Sequence, residues 1–299
     1  MYLNLLNDRL KEAYGVKVYK LALSSGCSCP NRDGTLGTRG CIFCDGAGAF
    51  AASGGIGEQM EDAKARLRGK IKGQAKYIAY FQSFTNTYGD IGRLEALFSA
   101  AMEGEEVVAL SVATRPDCLG QEVLAMLERL GRRKPVWVEL GLQTIHPATA
   151  AYIRRGYGLE VYDRAVEDLH AAGAEVVVHQ ILGLPGETAA DMAETARYIG
   201  KSGAEGIKFH LLHVLRGTDL AAEYRAGKFE VMTPEAYIAA LEECVRSIPR
   251  EMVIHRLTGD GAKRDLVAPL WSGDKKRVLN AIHASFARHD VEQGSAYRP

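Results

Sequence analysis

No apolar run in the 299 residues approaches the ~18 that a membrane-spanning helix needs, and the first residues, MYLNLLNDRLKE, lack the apolar core of a secretory signal. Neither sign of charge predominates. The 37 Lys and Arg balance 37 Asp and Glu, which excludes nucleic-acid binding by bulk positive charge but leaves room for a local basic face. Linkers, low-complexity segments and internal repeats are absent, so one domain with a C-terminal extension is the simplest organisation. At 47% hydrophobic and 25% charged residues, neither a disordered tail nor a collagen-like chain is expected. A disulfide framework is not expected either. There are six cysteines, and four of them crowd between Cys27 and Cys44. Without a secretion signal such clustering points to metal binding or redox chemistry in the cytoplasm.

What is present is a series of short β-rich runs: Val16–Leu23, Tyr77–Gln82, Val107–Val112, Val136–Leu140, Glu175–Leu182 and Gly206–Leu212. Most carry few charges and several β-branched or aromatic residues, as parallel strands covered on both faces do. Amphipathic helical patterns separate them, among them Arg93–Met102, Gln121–Leu130, Leu159–Ala172 and Ala189–Lys201. Six repeated βα units predict an α/β fold, a partial (βα)6 TIM-like barrel, with a doubly wound sheet as the competing architecture. Residues 1–215 would form this barrel with its N-terminal loop. Residues 216–299 would form an α/β extension packed on the same domain, with a helix at Thr233–Ser247, a short strand at Met252–His255 and a last helix at Arg277–Arg288.

The cysteine cluster, GCSCPNRDGTLGTRGCIFCDGAGAF from Gly26 to Phe50, directly follows the first strand. Cys41-Ile-Phe-Cys44 is a short chelating pair, and the Gly-, Asn- and Asp-containing stretch before it can curl back to Cys29. Three reachable thiolates are too few for a closed structural zinc site. They suit a [4Fe–4S] cluster with one iron left open. A zinc knuckle with Cys27 as fourth ligand and a thioredoxin-like redox pair are the alternatives.

Three cysteines after the first strand of a βα series resemble the radical S-adenosylmethionine (SAM) enzymes. The long spacing in CPNRDGTLGTRGCIFC resembles their YhcC/YtqA group, which is related to the elongator catalytic subunit. The likeness continues through TRPDCL (Thr114–Leu119), ELGLQT (Glu139–Thr144), RRGY (Arg154–Tyr157), HQILGLPGET (His179–Thr188), KFHLLHVLRGT (Lys208–Thr218), IHRLTGDG (Ile254–Gly261) and APLW (Ala268–Trp271), about residues 15–285 in all. Cys27 stands where the group more often has an aromatic residue.

The resemblance implies that Cys29, Cys41 and Cys44 ligate the cluster, whose open iron holds the amino and carboxylate groups of SAM. By the same resemblance Phe43 lies near the adenine, and the strand-two end with Gln82 and Ser83 meets the methionine amino group; the usual Gly-Gly-Glu is lacking there, so the contact falls to Gln82 or to backbone. Glu139 and Gln143 reach SAM hydroxyls or carboxylate, and Arg155 forks onto the SAM carboxylate. His179 contacts the ribose, while Ile181 and Gly183 lie at the adenine-binding strand end. It further implies a low-potential electron donor such as flavodoxin or ferredoxin. The implied substrate is tRNA, modified at wobble uridine from carboxymethylaminomethyluridine toward aminomethyluridine. A small metabolite is the alternative substrate, and a non-catalytic iron–sulfur scaffold the alternative class.

His210, His213, His255 and Arg256 are not needed for the shared chemistry and are candidates for substrate recognition or proton transfer. The stretch Lys64, Arg66, Arg68, Lys70, Lys72 and Lys76 contains no acid. It is either a solvated helix face or a contact for RNA phosphates.

Overall fold

The structure is a computed structural model and describes residues 2–46, 54–259, 261 and 263–298. The end of the cysteine run, 47–50, and residue 260 of the IHRLTGDG motif lie outside the described residues.

Six of the strands are the apolar runs seen in the sequence: β1 (Lys17–Leu23), β2 (Ala75–Phe81), β3 (Val107–Thr114), β4 (Val136–Gln143), β5 (Glu175–Leu182) and β6 (Gly206–Leu211). They pair in chain order, each parallel to the next. Parallel pairing requires a crossover between neighbours, and helices outside the sheet supply it. These are α2 (Ile56–Leu67), α3 (Ile91–Ala101), α4 (Gln121–Gly131), α6 (Leu159–Ala171) and α7 (Ala189–Lys201), with α1 (Leu6–Tyr14) preceding the first strand and α5 (Pro147–Tyr152) a short insert. Every residue of β3 is buried, which explains why VVALSVAT reads as a continuous apolar run without alternation. The chain continues with β7 (Val214–Leu215), α8 (Asp219–Arg225) and α9 (Pro234–Ser247). It then supplies a seventh parallel strand, β8 (Val253–Arg256), beside β6. Finally β9 (Leu266–Ala268) pairs antiparallel with β7, and α10 (Lys275–Arg288) ends the fold.

The sheet is curled into a half-barrel. One contact proves the curl. Lys20 on β1 reaches Glu139 on β4 at 2.9 Å, although three strand spacings of about 4.8 Å separate those strands in a flat sheet. Inward-facing residues alternate along each strand and stack in layers. The lowest layer is apolar: Val18, Ile78, Ala109, Trp137 and Val177 pack together, and α1 plugs them with Leu10. Above it lies a polar layer around Glu139. Above that, at the carboxyl ends of the strands, the interior opens into a cavity. Next to β8, the chain before α1 runs alongside the strand edge, with the Ile254 N–H donating to the Asn4 carbonyl at 2.8 Å.

The stretch Lys64–Lys76 is not one helical face. Helix α2 ends at Leu67, a 3-10 turn spans Arg68–Lys70, and β2 starts at Ala75. Gly69 and Gly73, the latter at φ +85°, break the helix where the chain must turn into the strand. Lys64 pairs with Glu61 and Glu106, and Lys76 lies over the Tyr14 ring. The exposed Arg66, Arg68, Lys70 and Lys72 sit where β2 begins, at the end of the barrel opposite the cavity.

Candidate active site

The loop after β1 is folded by its own turns. The amides of Arg32 and Asp33 donate to the Cys29 carbonyl at 2.8 and 3.2 Å, and the Cys44 amide donates to the Cys41 carbonyl at 2.9 Å. Asn31 and Arg32 then fasten the two halves. Asn31 Nδ2 donates to the Arg154 carbonyl at 2.7 Å and approaches the Cys41 sulfur at 3.5 Å. Arg32 Nη2 donates to the Cys44 carbonyl at 2.7 Å. Gly40 is at φ +74°, and a Cβ there would meet the guanidinium at 2.8 Å, so a side chain at this position is strained and would push Arg32 aside. The Ile42 amide bonds the Ile153 carbonyl, and the Leu220 amide bonds the Ile42 carbonyl, docking the loop on the barrel and on α8.

These contacts bring Cys29, Cys41 and Cys44 to one wall of a cavity of about 270 Å³. Burial pushes the Cys41 thiol up to about 11. The three sulfurs are spread. Among the described residues only His146, Asp191 and Glu194 place three such donor atoms within 4.8 Å of one another. A tetrahedral zinc with ~2.3 Å bonds needs thiolates about 3.8 Å apart. Thiolates set wider than that suit a cubane, whose irons occupy separate corners. Cys27 points elsewhere: it is buried in the main apolar core, with Arg93 Nη2 at 3.3 Å from its sulfur. The zinc knuckle thereby lacks its fourth ligand.

The opposite wall is formed by strand ends. Gln82, Gln143, Arg155, Glu139 and His179 line the cavity together with Phe43 and the cysteines. Gln82 Nε2 is buried without a hydrogen-bond partner, a donor left for a ligand. Gln143 sits at φ +65°, in the left-handed region, where the β4–β5 register slips. Gly141 makes room for it: a Cβ there would lie 2.5 Å from Gln143 Nε2. Arg155 holds this turn. Its Nη1 donates to the carbonyls on either side, Leu142 at 3.2 Å and Thr144 at 2.5 Å, and its Nε donates to Tyr157 at 3.0 Å. Arg155 is therefore buried, with only part of its fork uncommitted, and burial lowers its pKa.

Glu139 lies on the cavity floor and is fully buried. Its oxygens accept from Lys20 at 2.9 Å, Ser111 at 2.7 Å, His179 at 2.8 Å and from Lys208. Burial alone would raise its pKa, but Lys20 and Lys208 hold it well below the usual carboxylate range. Burial takes His179 down to about 4, so near pH 7 it is a neutral donor to the carboxylate.

The remaining expected residues lie off this cavity. Ser83 is buried with its hydroxyl unpartnered but is not on the wall. Ile181 packs with the apolar cluster of Ile42, Ile153 and Leu212. Gly183, at φ +88°, admits Met232, whose sulfur a Cβ would meet at 3.0 Å. His210 is in the interior with its ring 4.9 Å from that of His179. His213 is flanked by Gly259 and Gly261. His255 and Arg256 line a second cavity of about 220 Å³ between β8, the chain before α1, and α10.

Several wall or support residues carried no assignment in the sequence reading. Arg115, inside the TRPDCL motif, grips Asp117 through Nε at 2.8 Å and Nη2 at 2.7 Å, and Tyr157 is sandwiched between Arg115 and Arg155. Phe84, at φ +62°, and Arg32 also line the cavity. For Arg115, Arg32 and Tyr157 the signal is the motif segments themselves, RPD, NRDG and RRGY; Phe84 lies in none of them.

Residues 34–199 match the family described as the Radical SAM superfamily, and residues 204–288 match the Radical_SAM C-terminal domain. The chain is 41% identical over 297 residues to the uncharacterized protein YtqA of Bacillus subtilis (strain 168), covering 98% of this chain and 92% of that protein. It is 26% identical over 194 residues to the tRNA uridine(34) acetyltransferase of Methanocaldococcus jannaschii, covering 62% of this chain and 34% of that protein. Among solved structures, the Elp3 of Methanocaldococcus infernus with an N-terminal deletion superposes with a TM-score of 0.70 at 17% identity. That match covers 92% of this chain and 64% of the other, and at this identity the likeness is one of fold.

Proposed function

The chain belongs to the radical SAM superfamily, and from that premise we propose that it modifies tRNA at the wobble uridine, converting a carboxymethylaminomethyl substituent toward aminomethyl. It is a radical SAM enzyme, of a family that works with a [4Fe–4S] cluster and SAM. The residues present fit both groups. Cys29, Cys41 and Cys44 would hold the cluster through three of its irons, and the unpartnered Gln82 amide faces the same cavity. When bound, cluster and SAM supply one-electron cleavage of the sulfonium to a 5′-deoxyadenosyl radical. That power suits the proposed substrate, because the carbon between an amine and a carboxylate resists ordinary acid–base chemistry but can lose a hydrogen atom.

The chain's own part is placement. Arg155 keeps Gln143 turned into the cavity, and Arg32 and Asn31 fix the spacing of the thiols. The apolar floor below the Glu139 layer shuts water out from the far end. Arg155 and Gln143 are the side chains we assign to SAM on the strand-four side, with Phe43 against its adenine. A low-potential donor of the flavodoxin or ferredoxin kind would deliver the electron.

The observation that carries the enzyme class is the meeting of three spread thiols and an orphaned amide on one cavity at the strand ends. The tRNA assignment leans on the relatives whose names specify tRNA uridine 34. Nucleosides from the tRNA of cells with and without the protein, separated by mass, test it. Loss of aminomethyl-type uridines with gain of the carboxymethylaminomethyl form is expected without the protein, and identical profiles would overturn the tRNA assignment. The cysteine cavity would then serve a small metabolite, a reading that the balanced net charge favours.

A further inference from the structure

Arg115 and Asp117 form an ion pair that passes through the wall of the cysteine cavity. Arg115 directly follows β3 and precedes Pro116. Proline disfavours a helical residue ahead of it, and Arg115 is extended at φ −97° and ψ 143°. A 3-10 turn over Pro116–Cys118 then reverses the chain, with the Cys118 amide donating to the Arg115 carbonyl at 3.1 Å. The turn brings Asp117 back onto the arginine. Its carboxylate accepts from Nε at 2.8 Å and from Nη2 at 2.7 Å, so it grips one edge of the guanidinium bidentately. The two ends of the pair face different spaces. Arg115 lines the cavity together with Cys29, Cys41 and Cys44, its side chain 10% exposed. Asp117 lines an outer groove instead, with Pro30, Tyr88 and Cys118.

The guanidinium lies close to the thiols. One Cβ on Gly156 would be 3.3 Å from both Arg115 Nη2 and Asn31 Oδ1, and Asn31 Nδ2 is 3.5 Å from the Cys41 sulfur. A single amide group therefore stands between this cation and a cluster thiol. Burial opposes the charge on Arg115, but Asp117 holds it protonated, and the charge acts on both Cys29 and Cys41. Other charged groups share the wall. Arg32 is committed to the Cys44 carbonyl, and Arg155 to the carbonyls of Leu142, Thr144 and Tyr157. Glu139 accepts from four donors on the floor. Of the three arginines on the wall, Arg115 is the one with a carboxylate partner among the described residues.

We propose that Arg115, held by Asp117, is a positioning residue that sets the electron affinity of the cluster bound by Cys29, Cys41 and Cys44. This rests on the radical SAM reading of the cavity. Reduction by one electron adds a negative charge beside the thiolates. A cation fixed next to them in a poorly hydrated wall favours the reduced form, and net charge near the sulfurs is one of the factors that set such potentials. Arginine suits the task because it does not lose its proton. Asp117 acts in the opposite sense through its own charge. It is more exposed, at 21%, and faces the outer groove, so its effect is the smaller.

The test uses wild type, Arg115→Gln, Arg115→Lys and Asp117→Asn, each reconstituted anaerobically with iron and sulfide and its iron counted. Each is titrated with dithionite and redox mediators in the absence of SAM, and the reduced cluster is read by electron paramagnetic resonance. Arg115→Gln should lower the equilibrium constant for reduction about tenfold, or about 59 mV for a one-electron couple. Asp117→Asn should raise it about threefold, because the guanidinium keeps its charge when the carboxylate loses its own. Arg115→Lys should stay within about threefold of wild type. Loss of packing alone does not displace two variants in opposite directions. Shifts of the same sign, or no shift in iron-loaded Arg115→Gln, overturn the proposal. So does an unchanged potential with weakened SAM binding in Arg115→Gln, which would make Arg115 a SAM ligand. If Arg115→Gln holds no iron, Asp117→Asn decides: a potential at or below that of wild type overturns the proposal. Wild type that binds no iron overturns the cluster reading of the cavity as well, whereas iron-loaded proteins of equal potential overturn this proposal alone.

Discussion

Asn86 is completely buried in the turn after β2, and its side chain ties three strand ends together. Its Oδ1 accepts from Ser25 Oγ at 2.7 Å, and its Nδ2 donates to the carbonyls of Phe81 at 3.1 Å and Ala113 at 2.8 Å. The ends of β1, β2 and β3 thus share one amide, directly beneath the start of the cysteine loop. Asn86→Ala deletes three hydrogen bonds, worth about 3 kcal/mol at ~1 kcal/mol net each. The Ala113 carbonyl retains the Asn86 backbone amide at 3.2 Å, so it is not stranded. The Ser25 hydroxyl and the Phe81 carbonyl lose a partner, which brings the expected loss to roughly 3–4 kcal/mol. Asp90 provides a scale in the same segment. It caps α3 by accepting from the Arg93 amide at 2.7 Å, and Asp90→Ala should cost about 1 kcal/mol. Equilibrium urea unfolding of the three proteins under reducing, anaerobic conditions gives both numbers. Iron content after reconstitution should fall in Asn86→Ala and hold in Asp90→Ala, because the Thr85 amide in the same turn also holds the Ser28 carbonyl at 3.3 Å. If Asn86→Ala costs no more than Asp90→Ala, the amide is not what joins the strand ends, and the reasoning fails.

Three further outcomes are expected. Cys29→Ala, Cys41→Ala and Cys44→Ala should each abolish the iron-dependent visible absorbance, while Cys27→Ser, Cys118→Ala and Cys244→Ala keep it; stoichiometric zinc in anaerobically prepared wild type would refute the assignment. Stability should fall as pH drops from about 6.5 toward about 4, because His179 titrates near 4 when folded and higher when unfolded, so the unfolded chain binds more protons there. Each such histidine contributes a slope of up to ~1.4 kcal/mol per pH unit, His210 and His255 act in the same direction, and a flat urea midpoint across that window would contradict their burial as neutral rings. Reversing Arg66, Arg68 and Lys70 to Glu should leave tRNA affinity and its salt slope unchanged, whereas Arg39→Glu, on the exposed cysteine loop, should weaken binding and lower the slope by about 0.7–0.9; filter binding across a salt series would refute this if the order were reversed.

The strands and the cysteine loop were legible because their physics is local. Parallel strands covered on both faces are mostly apolar, and three thiols in one turn-rich loop are brought to one cavity. The polar layer was not legible, for the same reason that the strands were. GIKFHL is covered on both faces and shows no alternation, so nothing in it tells which face Lys208 takes, and KVYKLAL, on the edge strand, alternates too weakly to place Lys20. Their convergence on Glu139 follows from the curl of the sheet, a property of all seven strands together. Arg155 illustrates a subtler limit. Its spacing from Gln143 was visible, but its hold on the carbonyls of Leu142 and Thr144 depends on the left-handed turn at Gln143, which no residue type there announces.

The basic stretch is different, because the sequence held enough to place it. It follows a helix and precedes a strand, and in a βα barrel every such connection lies at the amino ends of the strands, while the reactive cavity forms at the carboxyl ends. The six cations between Lys64 and Lys76 are therefore on the wrong end to guide a substrate into the cavity, however dense their charge. The connections that can guide one are those that follow strands, and there the cations are fewer but placed to act. Arg39 and Arg154 converge on Asp219, with Arg39 at 3.4 Å and Arg154 at 2.6 Å, beside the loop that carries the cysteines. Arg39 remains 70% exposed in that arrangement, so its charge is only partly satisfied and faces outward on the cavity side. Topology, and not charge density, decides which of the two basic regions a polyanionic substrate would meet first.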